Sequence, residues 1–276
     1  MKWIIGDVHG CFLTLKKLIK TIEEKDPNPE FIFCGDLIDR GPRSAEVVDF
    51  VIDGIKNKGF KAVKGNHEQM LYEYTISPFS AHYISQGGRE TLKSYENYYS
   101  TDEEADKRIL SNIEFLMELP YFIEFKEKDS KGRRLVVSHA VCNDFHNEFT
   151  KLFDDRAEKL SEEHIEQFEK ENGILARCRI FKYHEFYTWN RELPNDEIDI
   201  ERDIFSISGH NITNHLIQVN GTENYDPDTQ VILNEEIGYA CIDTGCFVDS
   251  QEKGFGGVLT AMSFPEKEII QISNID

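Results

Sequence analysis

Five short clusters hold the residues of this chain that could do chemistry. They are Gly6-Asp7-Val8-His9-Gly10, Gly35-Asp36-Leu37-Ile38-Asp39-Arg40-Gly41-Pro42, Gly65-Asn66-His67-Glu68, Ser138-His139 and Ser208-Gly209-His210. Their donors are carboxylate, carboxamide and imidazole, with no thiolate. Such a set suits Mn, Fe or Zn rather than Ca or Cu(I). It also exceeds the roughly four to six donors that one ion takes, so two divalent ions are expected. Two metals about 3.5–4 Å apart are a known device for phosphate ester hydrolysis. Gly6, Gly35, Gly65 and Gly209 each precede a candidate ligand. A tight turn, often with positive φ, and a backbone close to an ion are expected there.

These clusters need elements to aim them. The first three follow short apolar runs that read as strands at residues 3–5, 31–34 and 61–63. Between them, residues 12–22 are amphipathic, and Val47, Val48, Val51, Ile52 and Ile55 recur at helical spacing. A further helix opens at His67. Strand, helix and strand with short connections predict a parallel sheet layered with helices. Ligands bind at the carboxyl ends of strands in such sheets, which is where all five clusters fall. Residues 77–129 read as less regular, with a Gly87-Gly88 break and an acidic stretch at 102–106. A strand is expected at 135–138. A helix is expected at 152–172, with Phe153, Ala157, Leu160, His164 and Phe168 as one apolar stripe, followed by an acidic loop at 195–203. The last third reads as strands at 204–208, 216–219, 239–242, 258–264 and 269–272. No repeat, low-complexity tract or linker is visible. One α/β domain over 1–276 with an inserted helical segment is expected.

Composition narrows the class. The chain has 276 residues, 39% hydrophobic and 30% charged, enough to bury a core without staples. No run approaches the ~20 apolar residues of a membrane span, so no membrane partner is expected. The chain meets Asp7 before any apolar stretch long enough for a signal peptide, and a cytoplasmic location is expected. Lys and Arg number 31 against 51 Asp and Glu, a net charge of −20. A surface this acidic repels phosphate backbones, so general nucleic-acid binding is not expected. The six cysteines, Cys11, Cys34, Cys142, Cys178, Cys241 and Cys246, include no CxxC pair and read as reduced thiols.

Taken in order, the five clusters resemble those of the calcineurin-like metallophosphoesterases, and more narrowly the phosphoprotein-phosphatase branch. Trp189-Asn190-Arg191-Glu192, Asp243-Thr244-Gly245-Cys246 and Gly257-Val258-Leu259-Thr260-Ala261 extend the likeness toward residue 276. The resemblance implies a β-sandwich flanked by helices, so the late strands would form much of a second sheet. Residues of about 75–130 and 150–190 would be helical, cap-like segments. It further implies that Asp7 and His9 hold one metal, Asp36 bridges both, and Asn66, His139 and His210 hold the other. His67 would be the general acid, oriented by Asp39, with Arg40 and Arg191 on the phosphate. One departure is Gly209-His210-Asn211, where the family usually has Gly-His-Thr. His82, His146, His164, His184 and His215 match no block and read as surface or helix-face residues.

The activity so implied is hydrolysis of serine or threonine phosphate in a phosphorylated protein or peptide, with manganese, iron or zinc as the metal pair. Two other readings stand beside it. One is a symmetrical bis(5'-nucleosyl)-tetraphosphate hydrolase or another nucleotide or RNA-end phosphatase. The symmetrical group usually has a small residue at the position of Asp39 and an aspartate at that of Glu68, which favours the monoesterase. The other is a catalytically silent phosphopeptide-binding module, against which the intact set of ligands, acid and arginines argues.

Overall fold

The computed structural model describes residues 1–77, 81–142, 187–191, 193, 203–220 and 223–276. The expected helix at 152–172 and most of the 150–190 segment lie outside these, as do Glu192 and the acidic loop apart from Asp203.

Two mixed sheets face each other. The first has the order β11-β10-β1-β2-β3, made of β1 (Lys2–Ile5), β2 (Glu30–Phe33), β3 (Lys61–Ala62), β10 (Val258–Phe264) and β11 (Ile269–Ser273). Strands β1, β2 and β3 run parallel, as the strand–helix–strand pattern requires, and β10 and β11 add antiparallel to them. The second sheet has the order β4-β5-β6-β9-β8-β7. Its strands are β4 (Phe122–Lys128), β5 (Arg134–Ser138), β6 (Ile204–Ser208), β7 (Tyr225–Asp226), β8 (Val231–Asn234) and β9 (Tyr239–Cys241). Here β5, β6 and β9 run parallel.

Alternation along β1 explains the layering. Ile4 packs between the sheets with Ile32, Leu135, Val137, Phe205, Ile207 and Met262. Its neighbours Trp3 and Ile5 face the other way, against α1 (Phe12–Lys25) and α2 (Ser44–Asn57). Those helices supply Leu15, Leu18 and Ile22, and Val47, Val48 and Val51, at helical spacing. Cys11 at the N-cap of α1 makes no capping bond. Asp276 takes the role: its carboxylate accepts from Leu13 N at 2.9 Å and Thr14 N at 3.0 Å.

Three expectations are corrected. Residues 216–219 are not a strand but part of a helix, Thr213–Asn220. Leu216 and Ile217 are adjacent in sequence rather than alternating, and the pair packs on the outer face of the second sheet. The short strands β7 and β8 were not expected. The stretch 77–129 is far more regular than its sequence suggests. It follows α3 (Asn66–Ile76) and contains a turn Ala81–Tyr83, a π-helical turn Ile84–Gly88, α5 (Arg89–Tyr98), α6 (Asp102–Met117) and β4; the turn Ala81–Tyr83 is α4, and Thr213–Asn220 is α7. The acidic stretch at 102–106 is the first turn of α6. Thr101 caps it by accepting from Glu104 N at 3.2 Å, and negative charge there complements the helix dipole. No helix among the described residues is long and apolar enough to cross a membrane.

Candidate metal centre

Every candidate ligand is delivered by the carboxyl end of a strand, and both sheets contribute. β1 brings Asp7 and His9, β2 brings Asp36, and the β3–α3 junction brings Asn66 and His67. From the second sheet, β5 brings His139 and β6 brings His210. All seven are buried.

Two groups of donors meet at Asp36. His9, Asp36 and His67 form one, and Asp36, His139 and His210 form the other. In the first, Asp36 Oδ2 lies 3.6 Å from His9 Nε2 and 3.8 Å from His67 Nε2. Asp7 Oδ2 lies 3.9 Å from His9 Nε2. In the second, His139 Nε2 lies 3.3 Å from Asp36 Oδ1 and 2.8 Å from Asn66 Oδ1, and His210 Nδ1 is 3.0 Å from the same carboxamide oxygen. The shared place of Asp36 is what a bridging ligand needs. The structure brings His67 as near to Asp36 as it does His9, although the sequence separates their roles.

Outer partners fix the rings. His9 Nδ1 donates to Ile38 O at 2.7 Å, and His139 Nδ1 donates to Cys34 O at 2.8 Å. Each ring thereby presents Nε2 to the centre, the usual way a ligand imidazole is oriented. Asp7 is held by His210 N, 3.1 Å from both of its oxygens. Glu68, to which the sequence assigns no role, ties two loops together. Its carboxylate accepts from Asp36 N at 3.0 Å, Leu37 N at 2.8 Å and Gly65 N at 2.8 Å. Its position, third in α3 after Gly65, is the one signal that could have found it.

The donors fit a cation pair. Asp7, Asp36, Glu68 and Asp243 are each no more than 2% exposed. Burial first, and then Asp243, pushes Asp7 well above the usual carboxylate range. Burial and Asp36 push Glu68 up to about 7. Asp36 goes the other way: burial opposes ionisation, but His139 and His67 outweigh it and hold the carboxyl well down. Among the described residues, two buried side-chain atoms, His210 Nε2 and Asp243 Oδ2, have no hydrogen-bond partner. So many buried carboxylates, with an imidazole nitrogen left unpaired, call for added positive charge.

The pair assigned to acid catalysis is tightly built. His67 Nδ1 donates to Asp39 Oδ2 at 2.6 Å. The other oxygen of Asp39 accepts from the Tyr83 hydroxyl at 2.9 Å and the Thr91 hydroxyl at 2.6 Å. Arg40 donates to His9 Nε2 at 2.7 Å and to His67 Nε2 at 3.0 Å, with its guanidinium 4.5 Å over the Phe247 ring. Arg191 is exposed and sits beside the second group, donating to Asn211 Oδ1 at 3.2 Å. Asn211 in turn donates to Asn190 O at 3.1 Å. The amide that departs from Gly-His-Thr therefore holds an arginine. Tyr83, Thr91 and Phe247 join the site only through tertiary approach, and no local pattern marks them; Asp243 opens the Asp243-Thr244-Gly245-Cys246 block, but its contacts at the site come from the fold.

The glycines behave otherwise than expected. Of the four that precede candidate ligands, only Gly35 has positive φ. Gly209 is needed for space, since a Cβ there would lie 1.8 Å from Asp7 Oδ1. The left-handed backbone falls on the candidate site residues themselves: His9 (φ 44), Asp36 (47), Asp39 (70), Arg40 (68) and His210 (65). Non-glycine residues in this region are uncommon and cluster at functional sites.

Comparison with known proteins agrees with this geometry. The family model for calcineurin-like phosphoesterases matches residues 3–179. The asymmetrical bis(5'-nucleosyl)-tetraphosphatase PrpE of Anoxybacillus flavithermus is 27% identical over 98% of this chain and 92% of its own. Serine/threonine-protein phosphatase 1 of Salmonella typhimurium is 35% identical, over 31% of this chain and 38% of its own. The crystal structure of a candidate diadenosine tetraphosphatase, 16% identical, covers all of this chain and 94% of that one with a TM-score of 0.53, a likeness of fold. With the family model spanning more than half of the sequence and the donors of both sheets converging on Asp36, the chain belongs to the calcineurin-like phosphoesterases.

Proposed function

We propose that the protein is a metal-dependent phosphomonoesterase that removes phosphate from serine or threonine side chains of phosphorylated proteins or peptides. The observation that carries this reading is the His67–Asp39 pair at 2.6 Å beside the donor groups. A serine or threonine alkoxide is a poor leaving group and needs a proton as the P–O bond breaks. Asp7, His9 and Asp36 hold one divalent cation, and Asp36, Asn66, His139 and His210 the other, with manganese the first choice ahead of iron or zinc. When bound, the pair supplies Lewis-acid charge and activates water toward phosphorus. Arg40 and Arg191 bind the phosphate oxygens and stabilise charge on them in the transition state. His67 delivers the proton to the leaving oxygen, while Asp39 Oδ2 orients the ring. The five described cysteines are buried and form no disulfide with one another, which supports a reducing, cytoplasmic setting.

A second reading is hydrolysis of a dinucleoside tetraphosphate, favoured by the full-length relatives of that name. Their cleavage is labelled asymmetrical, whereas the sequence pointed to the symmetrical class as the alternative. The Mn-loaded protein should be offered a phosphoserine peptide, p-nitrophenyl phosphate and diadenosine tetraphosphate. Turnover of the peptide well above that of the dinucleotide supports the first reading. Production of ATP and AMP as the dominant activity overturns it in favour of the second. Binding of the phosphopeptide without hydrolysis of any substrate would leave only the silent module.

A further inference from the structure

We propose that Asp243 is a further carboxylate of the cation site and strengthens metal binding there. The inference rests on the two-cation reading above. Asp243 follows β9, the strand beside β6, whose own end carries His210. Its carbonyl accepts from Thr213 N at 3.0 Å, which fastens it to the His210 loop. The preceding carbonyl, Ile242 O, packs 2.6 Å from where a Cβ on Gly6 would lie, so this strand end abuts the turn carrying Asp7. The side chain is 1% exposed, and its electrostatic neighbours include Asp7, Asp36, Arg40 and His139.

One oxygen of Asp243 serves its own turn, where Oδ1 accepts from Gly245 N at 2.9 Å. The other, Oδ2, is buried without a donor. The turn alone does not explain the residue, because an asparagine would make the Gly245 bond without burying a charge. A buried, unpaired carboxyl beside two others either takes up a proton or needs positive charge to offset its ionised form. Arg40 acts on Asp243 through its charge but makes no hydrogen bond to Oδ2, its guanidinium lying against His9, His67 and Phe247. Divalent ions on the Asp36 groups supply the missing charge.

The test is calorimetric titration of Mn²⁺ into chelator-stripped protein, parent and Asp243→Asn, alongside thermal unfolding without metal. The carboxamide keeps an oxygen for Gly245 N. Asp243→Ser, whose hydroxyl can take the same bond, serves if the first variant does not fold. The proposal expects Mn²⁺ affinity to fall about 10–100-fold for at least one of two ions, as for other groups supporting a metal. It expects the metal-free variant to unfold no lower than the parent, because a buried charge has gone. Equal affinities in parent and variant overturn it. Unchanged Mn²⁺ binding with altered inhibition by inorganic phosphate also overturns it, since Asp243 would then serve Arg40. A parent that takes up fewer than two ions overturns the two-cation reading and this proposal together.

Discussion

At the scale of single residues, the proposed proton delivery rests on His67 and Asp39. His67→Asn keeps size and a polar edge but cannot donate a proton in the same way. General acid catalysis is worth about 10²–10⁴ in rate. The variant should lose that much on a phosphoserine peptide and far less on p-nitrophenyl phosphate, whose leaving group is stable without a proton. Metal content by elemental analysis should stay at the parent's level. Asp39→Asn should show the same selectivity more mildly. Equal losses on the two substrates would assign His67 to holding phosphate instead. At Asp36, shared by both donor groups, Asp36→Asn should lower metal content and abolish turnover together. Full activity of that variant in excess chelator would remove the two-cation reading.

At the scale of elements, the acid pair depends on a helix that the sequence does not announce. Asp39 N donates to the Thr91 hydroxyl at 2.9 Å and the Ser44 hydroxyl at 3.1 Å, so α5 and α2 both clamp it. Thr91→Val keeps the shape and removes the hydroxyl. It should cost about 1–3 kcal/mol in urea unfolding, the penalty for unpaired buried polar groups. It should also reduce activity on the phosphoserine peptide more than on p-nitrophenyl phosphate. Gly87, in the π-helical turn, has φ 103, and a Cβ there would lie 2.7 Å from Arg40 Cγ. Gly87→Ala should therefore raise KM through Arg40 while metal content holds. The parallel strands and α1 and α2 were legible because apolar periodicity marks what they bury. The buried face of α5 is Thr91, Ser94 and Tyr95, largely polar, so its sequence carries no apolar stripe to read. The candidate ligands were legible for another reason: Asp7, His9, Asp36, Asn66, His139 and His210 stand in short motifs at strand ends. Tyr83 and Thr91 matter through what folding brings near them, which no spacing encodes, whereas Glu68 and Asp243 stand in sequence motifs and only their contacts were hidden.

At the scale of the whole molecule, the second sheet links two polar ends. Arg133, just before β5, is 3% exposed; it bonds Asp129 Oδ2 at 2.7 Å and lies over Phe205 at 4.9 Å. His139 is at the other end of that strand, roughly 20 Å away at about 3.3 Å per residue. Arg133→Ala leaves Asp129 buried with the backbone donors Lys131 N and Arg133 N, and with Lys267 at 3.6 Å as its remaining cation among the described residues. It should cost about 3 kcal/mol in urea unfolding and leave kcat on p-nitrophenyl phosphate unchanged. Acidity acts at the site end. In metal-free protein burial would lower His139, but Asp36 outweighs it and the ring is pushed up to about 9 from 6.5. A histidine raised in this way stabilises fully below pH 6.5 and loses that contribution as pH rises toward 9. Glu68, raised from 4.5 to about 7, acts with the same sign at lower pH. Chelator-stripped protein should thus melt at a lower temperature at pH 9 than at 6.5. Saturating Mn²⁺ should flatten the fall, because the cation takes the proton's place. A melting temperature independent of pH in chelator would show that the His139–Asp36 contact is not formed.

The left-handed backbone at His9, Asp36, Asp39, Arg40 and His210 also bears on how this protein can evolve. Strained residues of this kind cost about 1–3 kcal/mol each, and glycine adopts the same angles without that cost. A population of variants selected for heat resistance alone should therefore drift toward glycine or asparagine at these five positions. Its survivors would be hardier and inert. Selection that also demands turnover closes that route, and thermostable active variants should carry their changes in the helices and sheets behind the site, with all five positions untouched.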